Sequence, residues 1–126
     1  ILYNAMNNVF LIGRLVRDPE FRLTPSGIPL CRFSIAIDRI PKQDDQPADF
    51  IRVVTWRRLA EICNEYLKKG KLIAVDGRLQ IDSYDKDGEK RYSSEVVADG
   101  MQMLDRGQPM QQAATETSQT PSFDLV

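Results

Sequence analysis

Asp49-Phe50-Ile51-Arg52-Val53-Val54-Thr55-Trp56-Arg57-Arg58 alternates in character along its length. Side chains of a strand point to opposite faces in turn. Ile51, Val53 and Thr55 therefore share one face, and Phe50, Arg52, Val54 and Trp56 share the other. The first set is ordinary core filling. The second puts two aromatics around an arginine on a surface expected to meet solvent. Aromatic rings stack on bases while guanidinium groups attract phosphates, the chemistry that holds single-stranded nucleic acid.

The flanking sequence extends the pattern. Leu30–Asp38 reads as a strand with Cys31, Phe33, Ile35 and Ile37 on one face, opposite Arg32, Ser34, Ala36 and Asp38. The polar loop Pro41–Ala48 joins it to Asp49–Trp56 as a long hairpin. Further upstream, Val9–Val16 places Val9, Leu11, Gly13 and Leu15 on one face and Phe10, Ile12, Arg14 and Val16 on the other, with Gly13 marking a bend. Phe21–Leu23 is a short extended piece between the turns Asp18-Pro19-Glu20 and Thr24-Pro25-Ser26-Gly27. Downstream, Leu59, Ile62, Cys63, Tyr66 and Leu67 follow helical spacing and predict a helix over Arg58–Lys69, with Lys68 and Lys69 in its last turn and Gly70 as its stop. Lys71–Tyr84 is a long strand with Ile73, Val75, Gly77, Leu79 and Ile81 on one side. Asp85-Lys86-Asp87-Gly88 is a hairpin turn, and Lys90–Ala98 is the last strand. The order predicts an all-β fold: a five-stranded Greek-key barrel of the oligonucleotide-binding type (OB-fold), with one helix between strands 3 and 4.

Composition narrows the possibilities. At 126 residues, 42% hydrophobic and 28% charged, the chain suits one globular domain. No apolar run reaches the roughly 18 residues of a membrane span. Residues 1–5 read as an extension or leader ahead of Met6, residues 6–106 as the folded domain, and residues 107–126, rich in Gln, Thr and Ser, as a disordered tail. Cys31 and Cys63 read as buried reduced thiols, and with no histidine a zinc site is not expected. The net charge of −1 gives no support to nucleic-acid binding. Residues 6–106 hold 17 Lys and Arg against 16 Asp and Glu, while residues 107–126 add only Glu116 and Asp124. Only the local placement of charge can favour a polyanion.

A run of motifs then carries a resemblance: Val9-Phe10-Leu11-Ile12-Gly13-Arg14-Leu15, Asp18-Pro19-Glu20, Trp56-Arg57-Arg58-Leu59-Ala60-Glu61, Tyr66-Leu67-Lys68-Lys69-Gly70, Gly77-Arg78-Leu79, Arg91-Tyr92 and Met101-Gln102-Met103-Leu104. In that order and spacing, over about residues 6–105, the chain resembles the bacterial-type single-stranded DNA-binding proteins. The resemblance implies a non-enzymatic protein, without cofactor, that coats single-stranded DNA in replication, recombination and repair. It also implies a homotetramer, with a dimer as the alternative, in the cytoplasm at the nucleoid. Its stacking positions fall on Phe50, Trp56 and Tyr84, and its neighbouring basic positions on Arg52, Arg58 and Lys69.

Three departures stand out. Pro41 occupies a position that is often tryptophan in the family. Gln80-Ile81-Asp82-Ser83 lacks the basic residues that often precede the fourth-strand aromatic. The chain ends Pro121-Ser122-Phe123-Asp124-Leu125-Val126 rather than in an acidic tip, which leaves docking of replication or repair proteins on the tail in doubt.

Lys71 joins Arg52, Arg58 and Lys69 as a candidate phosphate contact, and Arg14, Arg32 and Arg78 complete the set. For each, a solvated surface charge is the alternative, as core packing is for Trp56 and Phe50 and cross-strand packing for Tyr84. Tyr92 can pack or stack. Phe10 and Ile12 suit an oligomer interface. Two other functions compete. One is a related module serving as a replisome interaction subunit, which stoichiometry and affinity would separate. The other is a metal-dependent nuclease using Asp44, Asp45 and Asp49, which DNA cleavage would reveal. RNA is a further possible ligand, since stacking platforms read bases generally.

Overall fold

The computed structural model describes residues 4–42 and 44–105. The expectations for residues 1–3 and for the tail lie outside the described residues. The elements are β1 (Val9–Leu15), β2 (Glu20–Leu23), β3 (Pro29–Asp38), β4 (Ala48–Trp56), α1 (Arg57–Tyr66), β5 (Leu72–Lys86) and β6 (Glu89–Met103). The sheet runs β1-β5-β6-β4-β3-β2, and β1 pairs a second time with β3 through Arg14–Ala36 and Leu15–Ile35. That second pairing closes a ring of five strands, the expected OB-type barrel. β2 is a short sixth strand appended to β3. The closing seam between β4 and β6 is parallel, at Val53–Val96 and Val54–Val97.

Alternation builds the interior. Leu15, Phe33, Ile35, Val53, Ile73, Val75, Val96 and Ala98 point inward, and Ala60, Cys63 and Leu67 of the helical segment cap them. Two glycines let strands approach closely. A β-carbon at Gly13 would stand 2.6 Å from the Ala36 carbonyl oxygen, where β1 crosses to β3. At Gly77 a β-carbon would run into the Val97 carbonyl, beside a bulge in which Asp99 is the extra residue between the pairs Gly77–Ala98 and Asp76–Gly100.

The structure corrects several boundaries. The helix ends at Tyr66, not Lys69, because Leu67 turns extended and buries its side chain in the core, leaving Lys68 and Lys69 outside the helix. Ala60 is buried where Tyr66 was expected, and Tyr66 is about half exposed. β6 continues past Ala98 to Met103 because Asp99-Gly100 forms the bulge rather than an end. Leu79 and Ile81 keep the inward alternation but are exposed, because the β5–β6 hairpin projects past the barrel. Its turn is made by Asp87 and Gly88, both at positive φ, the conformation of a two-residue hairpin loop.

Candidate nucleic-acid interface

β3 and β4 pair over nine positions, from Leu30–Trp56 to Asp38–Ala48. This register puts Phe50 opposite Ala36, Arg52 opposite Ser34 and Trp56 opposite Leu30 on the outer face. The small partners Ala36 and Ser34 leave Phe50 and Arg52 room to stand clear. Phe50 is 68% exposed and Trp56 39%, while Val53 and Thr55 between them are buried. Val54 departs from the expected pattern. It shares the outer face but is buried with Leu30 and Val97 in a small apolar cluster, so the outer face is not uniformly wet.

Tyr84 lies on the projecting hairpin opposite Arg91 and is half exposed. Tyr92 pairs with Ser83 and so occupies the other face of the ribbon, away from Tyr84. Pro41 follows a cis Ile40–Pro41 bond just beyond β3.

The strand faces and the hairpin enclose an open cleft of about 550 Å³. Arg17, Arg32 and Arg52 line it. So do Asp18, Glu20, Asp82 and Glu95, making the lining one charge negative. Arg52 donates from Nη2 to the Ser94 carbonyl at 3.1 Å, and Arg32 Nε lies 3.7 Å from Glu95 Oε2. A second cleft of about 520 Å³ shares Arg52 and Glu95 with the first and is otherwise lined by Phe50, Ser94 and the apolar side chains of Val9, Leu11, Ile51, Leu79 and Val96.

The remaining basic candidates scatter. Arg14 donates from Nη1 to the Gly70 carbonyl at 2.9 Å and lies 3.5 Å from Asp105, which ties it to the barrel end and not to the cleft. Arg58 pairs with Glu61 at 3.2 Å and Arg78 lies 3.9 Å from Asp99. Lys69 and Lys71 have no ion pair among the described residues; the Lys69 backbone N–H is bound by Asp18 at 2.9 Å. Sequence reasoning missed Arg17, Glu20 and Glu95, which reach the cleft only through the folding of β2 and β6 against β3. The carboxylates proposed for metal catalysis do not converge. Asp49 instead receives Arg39, from Nε at 3.0 Å and Nη2 at 2.8 Å. No metal-holding group of three or more such ligands occurs among the described residues.

Behind this face the two thiols are buried beside Thr55, whose hydroxyl donates to the Cys31 carbonyl at 3.0 Å. Burial pushes the Cys31 thiol up to about 11 and the Cys63 thiol up to about 12, against an opposing hydrogen bond with Thr55 in each case. Such thiols are structural and unreactive.

A family model described as the single-strand binding protein family matches residues 6–104. The chain is 49% identical over 105 residues to the single-stranded DNA-binding protein of Thermotoga maritima, covering 79% of this chain and 74% of that one. It is also 49% identical over 105 residues to single-stranded DNA-binding protein 3 of Clostridium acetobutylicum, covering 81% and 73%. Against the Bacillus cereus protein of the same description the identity is 46% over 103 residues, covering 79% of this chain but 61% of that one.

Proposed function

Because this chain belongs to the single-strand binding protein family, we infer that it binds single-stranded DNA without sequence preference, as a binding protein and not an enzyme. The observation that carries this reading is the β4 register. It stands Phe50, Arg52 and Trp56 out on one face while Val53 and Thr55 anchor the same strand in the core. Bases stack on Trp56, Phe50 and Tyr84. Arg52, between Phe50 and Trp56 on the same face of β4, offers a phosphate contact, with Arg32 and Arg17 lining the same cleft as Arg52; Arg58, Lys69 and Lys71 extend them, and Arg14 and Arg78 complete the set. Stacking that ignores base identity suits a protein coating whatever strand is exposed in replication, recombination and repair.

The assembly in this reading is a homotetramer. Phe10 and Ile12 support it, standing 65% and 47% exposed on the outer face of β1 next to Asp76 and Ala74. Sedimentation of the purified chain reads the assembly directly, a dimer counting for the replisome-module alternative.

Trp56 is the one tryptophan, so its fluorescence reports a single site. Titration with oligo(dT) at low and high salt is expected to quench it strongly, and an equal concentration of duplex is not. Absence of quenching at low salt would remove the stacking reading and favour the interaction module. Oligo(rU) run in parallel separates DNA from RNA preference.

A further inference from the structure

The two arginines of the main cleft are held by adjacent residues of β6, in chemically different ways. Arg52 rests on the Ser94 carbonyl, a neutral acceptor that leaves its charge intact. Arg32 faces the Glu95 carboxylate, whose side chain is only 19% exposed and so is weakly screened by water. Both arginines line the same cleft, on the same outer face, at neighbouring rungs: Arg32 opposite Val54 and Ser34 opposite Arg52. A phosphate arriving at Arg52 meets a full positive charge. A phosphate arriving at Arg32, whose side chain is 53% exposed, meets a charge partly offset by a carboxylate that competes for it.

We propose that Glu95 is a competitor built into the cleft. It closes an ion pair on Arg32 in the free protein, must yield Arg32 to backbone phosphate when the strand enters, and so sets both the affinity and the salt sensitivity of strand binding. The proposal rests on the reading that the strand crosses this cleft. Glu95 acts through Arg32 and is a positioning residue, not a contact with the strand.

The test measures oligo(dT) affinity against salt concentration for the full chain. Each phosphate neutralised on a single strand contributes a slope of about −0.7 in log affinity against log salt. Arg52→Gln is expected to flatten the slope by about that much, and Arg32→Gln by much less, because the phosphate that Arg32 neutralises is offset by the Glu95 carboxylate it uncovers. Glu95→Gln keeps shape and hydrogen-bonding capacity while freeing Arg32. It is expected to bind roughly three- to tenfold more tightly at low salt, with a slope steeper by up to about 0.7. The gain should vanish in the double variant Arg32→Gln/Glu95→Gln, which separates competition for Arg32 from the general field of the cleft acids. Weaker binding by Glu95→Gln, an unchanged slope, equal flattening by the two arginine variants, or a gain that survives loss of Arg32 each overturns the proposal. Failure of the unsubstituted chain to prefer oligo(dT) over duplex would instead remove the strand-binding reading beneath it.

Discussion

Trp56 ends β4 in an extended conformation, φ −126° and ψ 153°, and Arg57 beside it opens α1 in the left-handed region at φ 59°. A β-carbon in that region crowds the following carbonyl at a cost of about 1–2 kcal/mol, which glycine escapes. Arg57→Gly is therefore expected to stabilise the fold by about 1 kcal/mol. A thermal melt checks it, and a lower Tm would mean that the Arg57 side chain contributes more than the strain costs.

The three rings differ in how they are held. Trp56 and Phe50 belong to a strand locked between β3 and the closing seam, whereas Tyr84 rides on the projecting hairpin. Trp56→Ala is expected to cost about 1–3 kcal/mol of oligo(dT) binding. Phe50→Ala should fall in the same range and Tyr84→Ala at its lower end, since Tyr84 must first be ordered. Fluorescence anisotropy of labelled oligo(dT) reads all three, and full-strength binding without Trp56 would refute its role.

Gly77 sits where β5 passes against β6, so that a β-carbon on it would run into the Val97 carbonyl and stand 2.9 Å from Ala98 Cα. Backbone cannot give way as a flexible side chain can. Gly77→Ala should lose about 3 kcal/mol or more, measured by denaturant unfolding. A variant of ordinary stability would show that the bulge at Asp99 can slide to make room.

Stability should fall in alkaline solution through the thiols. An unfolded cysteine loses its proton near its ordinary value of 9.0, while burial makes the folded Cys31 and Cys63 keep theirs to about 11 and 12. Between pH 9 and 11 the folded state binds more protons than the unfolded one, so stability decreases as pH rises, by about 1.4 kcal/mol per pH unit for each thiol. Below pH 9 this contribution is constant. Comparing the pH dependence of unfolding with that of Cys31→Ala/Cys63→Ala isolates it: the variant starts less stable but declines less steeply. Parallel curves would exclude the thiols as the cause.

The barrel was legible because its signals are local. The alternation of Val9–Leu15, Leu30–Asp38 and Asp49–Trp56 states which residues turn inward, and the rings at Phe50 and Trp56 stand out as apolar groups on the polar face. Val54 was not legible. Its burial depends on Leu30 and Val97, which lie 24 and 43 positions away and meet it only through strand pairing. The bulge at Asp99 was not legible, and the sequence alone ends the last strand at Ala98, because an extra unpaired residue shows itself only against the partner strand, here between the pairs Gly77–Ala98 and Asp76–Gly100. The cleft was half legible. Arg32 and Arg52 announce themselves by position, but neither Arg17 nor Glu95 carries any periodic mark, and the ion pair of Arg32 with Glu95 spans 63 positions of sequence.

The projecting hairpin has a mechanical consequence. β1 accompanies β5 only to Gly77, Asn7 extends that support by hydrogen bonds to the Leu79 backbone at 2.7 and 2.9 Å, and β4 accompanies β6 only at Val96 and Val97. Among the described residues no third strand pairs with the segment from Ile81 to Ser94. Its ladder can open without disturbing the barrel, so its amides should exchange with solvent sooner than those of β3 or β4. On the proposed stacking reading, Trp56 is a fixed contact and Tyr84 a compliant one, so release of a bound strand is expected to begin at Tyr84 and peeling to have a direction.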